Sequence, residues 1–367
     1  MVCWEEKREL VMIDIICTIG PASRDVEMLK RLAASGMTIA RLNMSHGDHR
    51  SHQAAIRNIR QAGSELGRKI KLLGDLQGPK IRLGEVNGEV VLNAGEPFIL
   101  HMQPTVGSQH EASVDYPGLV DDVKPGARIH INDGEVKLLV QQVTKDSLLT
   151  RVIVGGPISS HKGINVPGTP LRLPPLTGKD KDDLRFLLME KVDYVACSFI
   201  RDGGQMDEIR AFAGVARGHA PSFVAKLETI DALRHFNAIA DAADGVMIAR
   251  GDLGVEVPFE WVPLLQKAII RECRRKGIYC ITATHMLQSM TEHPVPTRAE
   301  VTDIFQAVLD GTNAVMLSAE SASGSYPAES TDTLATVAAF AERVAADQPF
   351  DWDDILHLLS AQGQTGL

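Results

Sequence analysis

The 367-residue chain carries 38 lysines and arginines against 47 aspartates and glutamates, a formal net charge of -9. Such acidity excludes a general nucleic-acid binder, which needs a broad basic face, but not a local basic pocket for small phosphorylated ligands. With 44% hydrophobic and 23% charged residues, the composition is that of a soluble globular protein large enough for one big domain or two.

In chain order, residues 12–19 form an apolar run that stops at Gly20-Pro21, a first strand. Ser23 is the expected N-cap of a helix closed by Gly36. Residues 37–42 make a second strand, 49–62 a second helix and 70–73 a third strand. From 78 to 166 no helix is expected. Short runs at 81–91, 128–131 and 136–143, separated by Gly, Pro and the Asn132-Asp133-Gly134 turn, read as a small all-β insert. The alternation then resumes, with strands at 194–200, 223–227, 246–249, 279–284 and 314–317. Helices at 179–190, 204–216, 230–243, 258–276, 298–310 and 328–346 go with them.

Eight strands, each followed by a helix, predict an α/β fold of the (β/α)8 TIM-barrel type. The barrel takes 12–77 and 167–346, a β-barrel-like lid takes 78–166 after strand 3, and 347–367 is a tail. In that tail Trp352, Ile355, Leu356 and Leu359 have the spacing of a short amphipathic helix. A doubly wound sheet is the alternative, but no Gly-x-Gly-x-x-Gly follows an early strand. Cys17, Cys197 and Cys280 lie in apolar runs and no Cys-x-x-Cys occurs, so neither a zinc site nor a disulfide framework is expected in a reducing, cytoplasmic compartment. No run reaches membrane-span length and the first residues show no secretory pattern. Residues 1–11 are polar and unpatterned, which makes Met12 a second candidate start.

Barrel sites lie at the C-terminal ends of the strands. Those ends carry Arg41, Asn43, Ser45 and His46, then Asp75, Ser198, Lys226, Glu228, Asp252, Thr284, Ser318 and Glu320. Lys226 and Glu228 are two apart, so a strand points both to one face, where burial of either charge alone is costly. Asp252 arrives from the neighbouring strand. Two carboxylates beside a lysine suit a divalent metal and an anionic substrate. A structural ion pair competes with that reading. So does loop satisfaction for Asn43, Ser45 and Ser198, surface packing for His46 and His285, and turn chemistry for Asp133.

Six segments, in this order, resemble pyruvate kinase: Cys17 to Ser23 (CTIGPAS), Ala40 to Gly47 (ARLNMSHG), Gly74 to Arg82 (GDLQGPKIR), Lys162 to Gly168 (KGINVPG), Ala249 to Gly254 (ARGDLG) and Pro296 to Glu300 (PTRAE). The resemblance runs from residue 12 to about 346. It implies phosphoryl transfer from phosphoenolpyruvate to ADP, giving pyruvate and ATP. Lys226 would lie against the transferring group with Arg41 on its other oxygens, and Glu228 and Asp252 would hold Mg²⁺ or Mn²⁺. The backbone at Ala249 and Gly251, with Ser198, would contact the substrate, and Thr284 would serve the water network that protonates the enolate. Arg82 and Lys162 would bind ADP phosphates, Asn43 and His46 would support the nucleotide, and Asp133 would help close the insert.

The monovalent-cation region of the family falls on Asn43, Ser45, Asp75, Leu76 and Lys80. Members with lysine and leucine at the positions of Lys80 and Leu76 usually need no K⁺, and a fixed ammonium near Asp75 gives the physical reason. K⁺ independence is therefore expected. His285 replaces the family's usual glutamine, and Ser321 a threonine. Residues 347–367 do not supply the C-terminal domain of the family, so the expectation is a kinase without effector regulation and at most a homodimer through the barrel. A Mg²⁺-dependent pyruvate-enolate lyase and a non-catalytic paralogue are the alternatives.

Overall fold

The structure, a computed structural model, describes residues 13–346 and 355. Met12 and the expected tail helix around Trp352, Leu356 and Leu359 lie outside the described residues. Eight parallel strands close into a barrel: β1 Asp14–Thr18, β2 Ile39–Asn43, β3 Lys71–Asp75, β4 Tyr194–Cys197, β5 Ser222–Leu227, β6 Gly245–Ala249, β7 Tyr279–Ala283 and β8 Ala314–Leu317. Each strand pairs with its sequence neighbours, and β1 closes on β8 with Asp14 opposite Ala314. Among the described residues no helix is long and apolar enough to cross a membrane.

Strand alternation sorts the apolar residues into two layers. Ile16, Ile39, Leu73, Ala196, Val224, Met247, Ile281 and Met316 form the lumen cluster. Their neighbours Cys17, Ala40, Leu72, Val195, Ala225 and Ile248 pack outward with the helices, in a cluster that also holds Leu29, Leu187 and Ile270. With both faces covered, the strands read as near-continuous apolar runs, as parallel strands do. Cys17, Cys197, Cys273 and Cys280 are free and buried.

Between β3 and β4 the chain builds a seven-stranded sheet and a two-stranded one around their own core, with Phe98, Leu138 and Ile164 buried. The strands at Arg128–Ile131 and Val136–Val143 stand as expected. The run at 81–91 does not: only Ile81–Arg82 and Val90–Leu92 are strands, split by Gly84 and Gly88. A single helical turn, Leu119–Asp122, also occurs where none was expected.

Helix ends bring further corrections. Asp25, not Ser23, caps the first helix, Val26–Ala34, its carboxylate accepting from the Met28 amide at 2.9 Å. Ser23 Oγ instead accepts from the Gly20 amide at 3.1 Å. The helix expected at 230–243 is two, Ile230–Arg234 and Phe236–Ala242, and at the break the His235 ring pairs with the Arg201 carbonyl at 3.0 Å. A helix not anticipated, Arg250–Glu256, follows β6, and the next helix proper begins only at Val262. The strand expected at 194–200 stops at Cys197, because Phe199 turns to φ 57.

Candidate active site

Counting two residues beyond the lumen layer gives the next layer up. Ile16, Ile39, Leu73, Ala196 and Val224 are followed on the same face by Thr18, Arg41, Asp75, Ser198 and Lys226. The apolar plug of the barrel is thus topped by a charged tier at the C-terminal rim.

Asp75 is at its centre, 1% exposed. Arg41 reaches it with Nε and Nη2, both at 2.8 Å, and donates from Nη1 to Thr18 Oγ1 at 2.8 Å. Lys226 Nζ lies 3.3 Å from the other Asp75 oxygen and 2.9 Å from Glu228 Oε1. It also donates to Ser198 Oγ at 2.7 Å, which in turn donates to the Leu76 carbonyl at 2.7 Å. Ser198 therefore aims the ammonium. The second Glu228 oxygen accepts from the Phe199 amide, which the positive φ of that residue turns inward.

These groups perturb one another as burial and charge require. Burial alone would depress the Lys226 ammonium, but the Asp75 and Glu228 carboxylates outweigh it and hold its pKa above the ordinary value. Burial would raise Asp75, but Lys226 and Arg41 pull it below the ordinary range. Glu228 goes up: burial leads, Lys226 opposes, and the Asp252 carboxylate adds to the rise. Burial rather than repulsion thus leads the rise, and Lys226 on Glu228 and Lys80 on Asp252 supply the cations these two carboxylates need. Their hard oxygens fit a divalent cation such as Mg²⁺, which takes one or two protein carboxylates and completes its shell with water and substrate oxygens. Among the described residues no larger group of His, Cys, Asp and Glu gathers that would hold a metal.

Thr284 sits just past β7 at φ 70. Its Oγ1 accepts from the Gly251 amide at 2.9 Å and donates to the Ala283 carbonyl at 2.6 Å. It thereby ties the start of the helix Arg250–Glu256 to the rim. A Cβ added at Gly251 would meet nothing nearer than Thr284 at 3.7 Å, so the protein itself does not demand glycine there. Ala249 is buried at the end of β6.

Other expected site residues flank the tier, and Asn43 stands opposite Asp75 in the register of β2 and β3. Asn43 Oδ1 accepts from the Ser45 amide at 3.1 Å, a loop contact, and His46 is exposed. The Leu76 side chain is 1% exposed and packs in the outer layer with the helices. Arg82 and Lys162 lie on facing segments of the insert: Arg82 pairs with Gly163, and the Leu83 amide donates to the Lys162 carbonyl at 2.9 Å. Arg82 Nη1 donates to the His161 carbonyl at 3.1 Å, and Lys162 is exposed.

Lys80 corrects an expectation. Its ammonium pairs with Asp252 at 3.0 Å and stands 3.7 Å from Asp133, rather than joining Asp75, whose oxygens are taken by Arg41 and Lys226.

Sequence reasoning missed two members. Thr18 completes the tier, and continuing the period of two along β1 would have found it. Arg250, inside the Ala249 to Gly254 segment, donates to the Ala283 and Thr284 carbonyls and to Asp303, pinning the loop that carries Thr284. Glu320, seen at the rim but given no role, is fully buried and accepts from the Ser318 amide at 2.7 Å and the Leu287 amide at 3.1 Å. It acts as a strut between two rim loops.

Fold and site together define a (β/α)8-barrel protein with a rim of buried cations and paired carboxylates and an all-β insert after the third strand. The family model of the pyruvate kinase barrel domain matches residues 11–331, and the chain belongs to that family. It is 42% identical over 354 residues to a pyruvate kinase of Geobacillus stearothermophilus, covering 96% of this chain and 60% of that protein. It is 47% identical over 335 residues to pyruvate kinase 2 of Synechocystis sp., covering 90% and 56%. A pyruvate kinase of Clostridium perfringens is 42% identical over 330 residues, covering 89% of this chain and 70% of that one. The chain thus spans under two thirds of the length of the first two relatives.

Proposed function

We propose that the rim performs Mg²⁺-dependent phosphoryl transfer from phosphoenolpyruvate to ADP, giving pyruvate and ATP. The observation that carries this reading is the placing of the Lys226 ammonium, fixed by Asp75, Glu228 and Ser198 within reach of an adjacent guanidinium on Arg41. Two cations held in a rigid, largely dry tier need no reorganisation as charge shifts, which is what a phosphoryl-transfer transition state requires.

In the reaction the bond from phosphorus to the enol oxygen breaks and one to an ADP β-phosphate oxygen forms. Lys226 and Arg41 neutralise the transferring group. The enolate left behind takes a proton at carbon, delivered by the water network beside Thr284 Oγ1. The small residues Ala249 and Gly251 let the substrate carboxylate approach the backbone at the start of the helix Arg250–Glu256, where it would share the Gly251 amide with Thr284 Oγ1. Glu228 and Asp252 would hold Mg²⁺ or Mn²⁺, which supplies charge neutralisation to substrate oxygens. Arg82 and Lys162, on facing segments of the insert, take the ADP phosphates, and this pair of cations favours nucleotide-dependent transfer over an enolate lyase. Lys80 keeps an ammonium of the chain's own beside the site, between Asp252 and Asp133, and this supports activity without K⁺.

The test is pyruvate formation from phosphoenolpyruvate and ADP with Mg²⁺, with and without K⁺ at constant ionic strength. The expected result is a K⁺-independent rate that Lys226→Met lowers by at least a thousandfold. No rate from the folded wild-type protein overturns the activity, and a large K⁺ stimulation overturns the role of Lys80.

A further inference from the structure

Lys80 is held between carboxylates from two parts of the molecule. Its Nζ is 3.0 Å from Asp252 Oδ1, on the barrel helix Arg250–Glu256, and 3.7 Å from Asp133 Oδ1, in the insert turn. The Phe199 ring centroid stands 6.0 Å from the ammonium. Gly163 walls the other side: a Cβ there would meet Lys80 Cε at 2.6 Å and Nζ at 3.3 Å. The Lys80 and Asp252 side chains are 20% and 28% exposed, so solvent screens this pair less than an open surface pair.

Asp252 is also one of the two carboxylates assigned above to the divalent metal, and this inference rests on that assignment. A carboxylate oxygen that accepts from an ammonium turns its lone pair to the ammonium, and a divalent ion arriving there meets a like charge. We propose that Lys80 is a resident cation that competes with the divalent metal for Asp252, so that metal entry drives the ammonium off Asp252 and onto Asp133. Asp252 is on the barrel and Asp133 on the insert, so the exchange breaks a tie between them. Metal loading and release of the insert are then linked, and each shifts the other by the same factor.

The test is binding of Mn²⁺, followed by the electron paramagnetic resonance signal of the free ion, with the whole protein and without substrate or nucleotide. Circular dichroism first establishes that each variant is folded. Lys80→Gln is expected to bind Mn²⁺ about tenfold more tightly than wild type, about 1.4 kcal/mol. Lys80→Arg, which keeps a cation, is expected to stay near wild type. Gly163→Ala, which keeps the charge but crowds its terminal methylene, is expected to bind more tightly than wild type. Equal or weaker binding by Lys80→Gln, while Glu228→Gln still weakens binding, overturns the competition and leaves the metal site standing. If neither Glu228→Gln nor Asp252→Asn changes Mn²⁺ binding, the metal-site reading itself fails and the competition with it.

Discussion

Glu256 ends the helix that begins beside the rim and lies one turn beyond Asp252. Burial pushes its carboxyl up from 4.5 to about 7. The Ile230 amide and the Asn165 side chain oppose the rise, Asp231 adds to it, and Arg201 opposes it more weakly. Replacing Glu256 with glutamine keeps the shape and removes the titration. The folded protein holds this proton to about pH 7, whereas the unfolded chain releases it near 4.5. Between those values the folded state binds more protons, so stability falls as pH rises through the window and is level above it. A shift from 4.5 to about 7 corresponds to an upper bound of about 3 kcal/mol at 1.36 kcal/mol per pKa unit. Relaxation of a half-buried site reduces this to about 1–3 kcal/mol. Glu256→Gln is expected to melt a few degrees above wild type at pH 8 and within about one degree of it at pH 5. The assay is thermal unfolding of both proteins in matched buffers, and comparing them cancels groups they share. A variant no more stable than wild type at pH 8, or one stabilised equally at both pH values, refutes the reasoning.

Two further outcomes follow from single contacts. Ser198→Ala leaves the Lys226 ammonium without one acceptor and the buried Leu76 carbonyl without its donor. Loss of about 1–3 kcal/mol of orientation is expected to lower kcat tenfold to a hundredfold with little change in KM for phosphoenolpyruvate, and unchanged kcat sinks the positioning role. Asp25→Ala removes the cap of the first helix and is expected to cost about 1 kcal/mol in denaturant unfolding without altering kcat. A cost no larger for Asp25→Ala than for Ser23→Ala would show that the cap is misplaced.

What was legible in the sequence was what repeats. Apolar runs separated by helices announced the barrel, and the strand period of two put Lys226 and Glu228 on one face. Less legible was what depends on how distant segments meet. Asp75 as the shared partner of Arg41 and Lys226 follows from the order β2, β3, β4, β5 around the barrel, where three strands bring their ends together. The destination of Lys80 is set by a flexible side chain choosing between carboxylates, and no spacing encodes that choice. Leu76 sits one residue past Asp75 and so faces the opposite way, which the period could have told. The helix Arg250–Glu256 was hidden because Gly251 and Gly254 weaken its local propensity, while Thr284 Oγ1 and the Ala283 carbonyl hold its first turn from outside. Asp25 and Ser23 are both good cap residues, and only the backbone decides between them.

The charged tier is nothing more than the next layer of the barrel lumen, and this limits how the site can come apart. Its members hang from β1 to β5, and the distances between them are set by strand register. A one-residue slip in any strand would turn its member outward among the helices. There is accordingly no half-built version of the site in which Lys226 waits, correctly aimed, for Asp75. Fragments split between β3 and β5 each lack a charge the other needs, and neither has reason to keep its rim residues in place. Assembly of the tier and closure of the ring are therefore a single event.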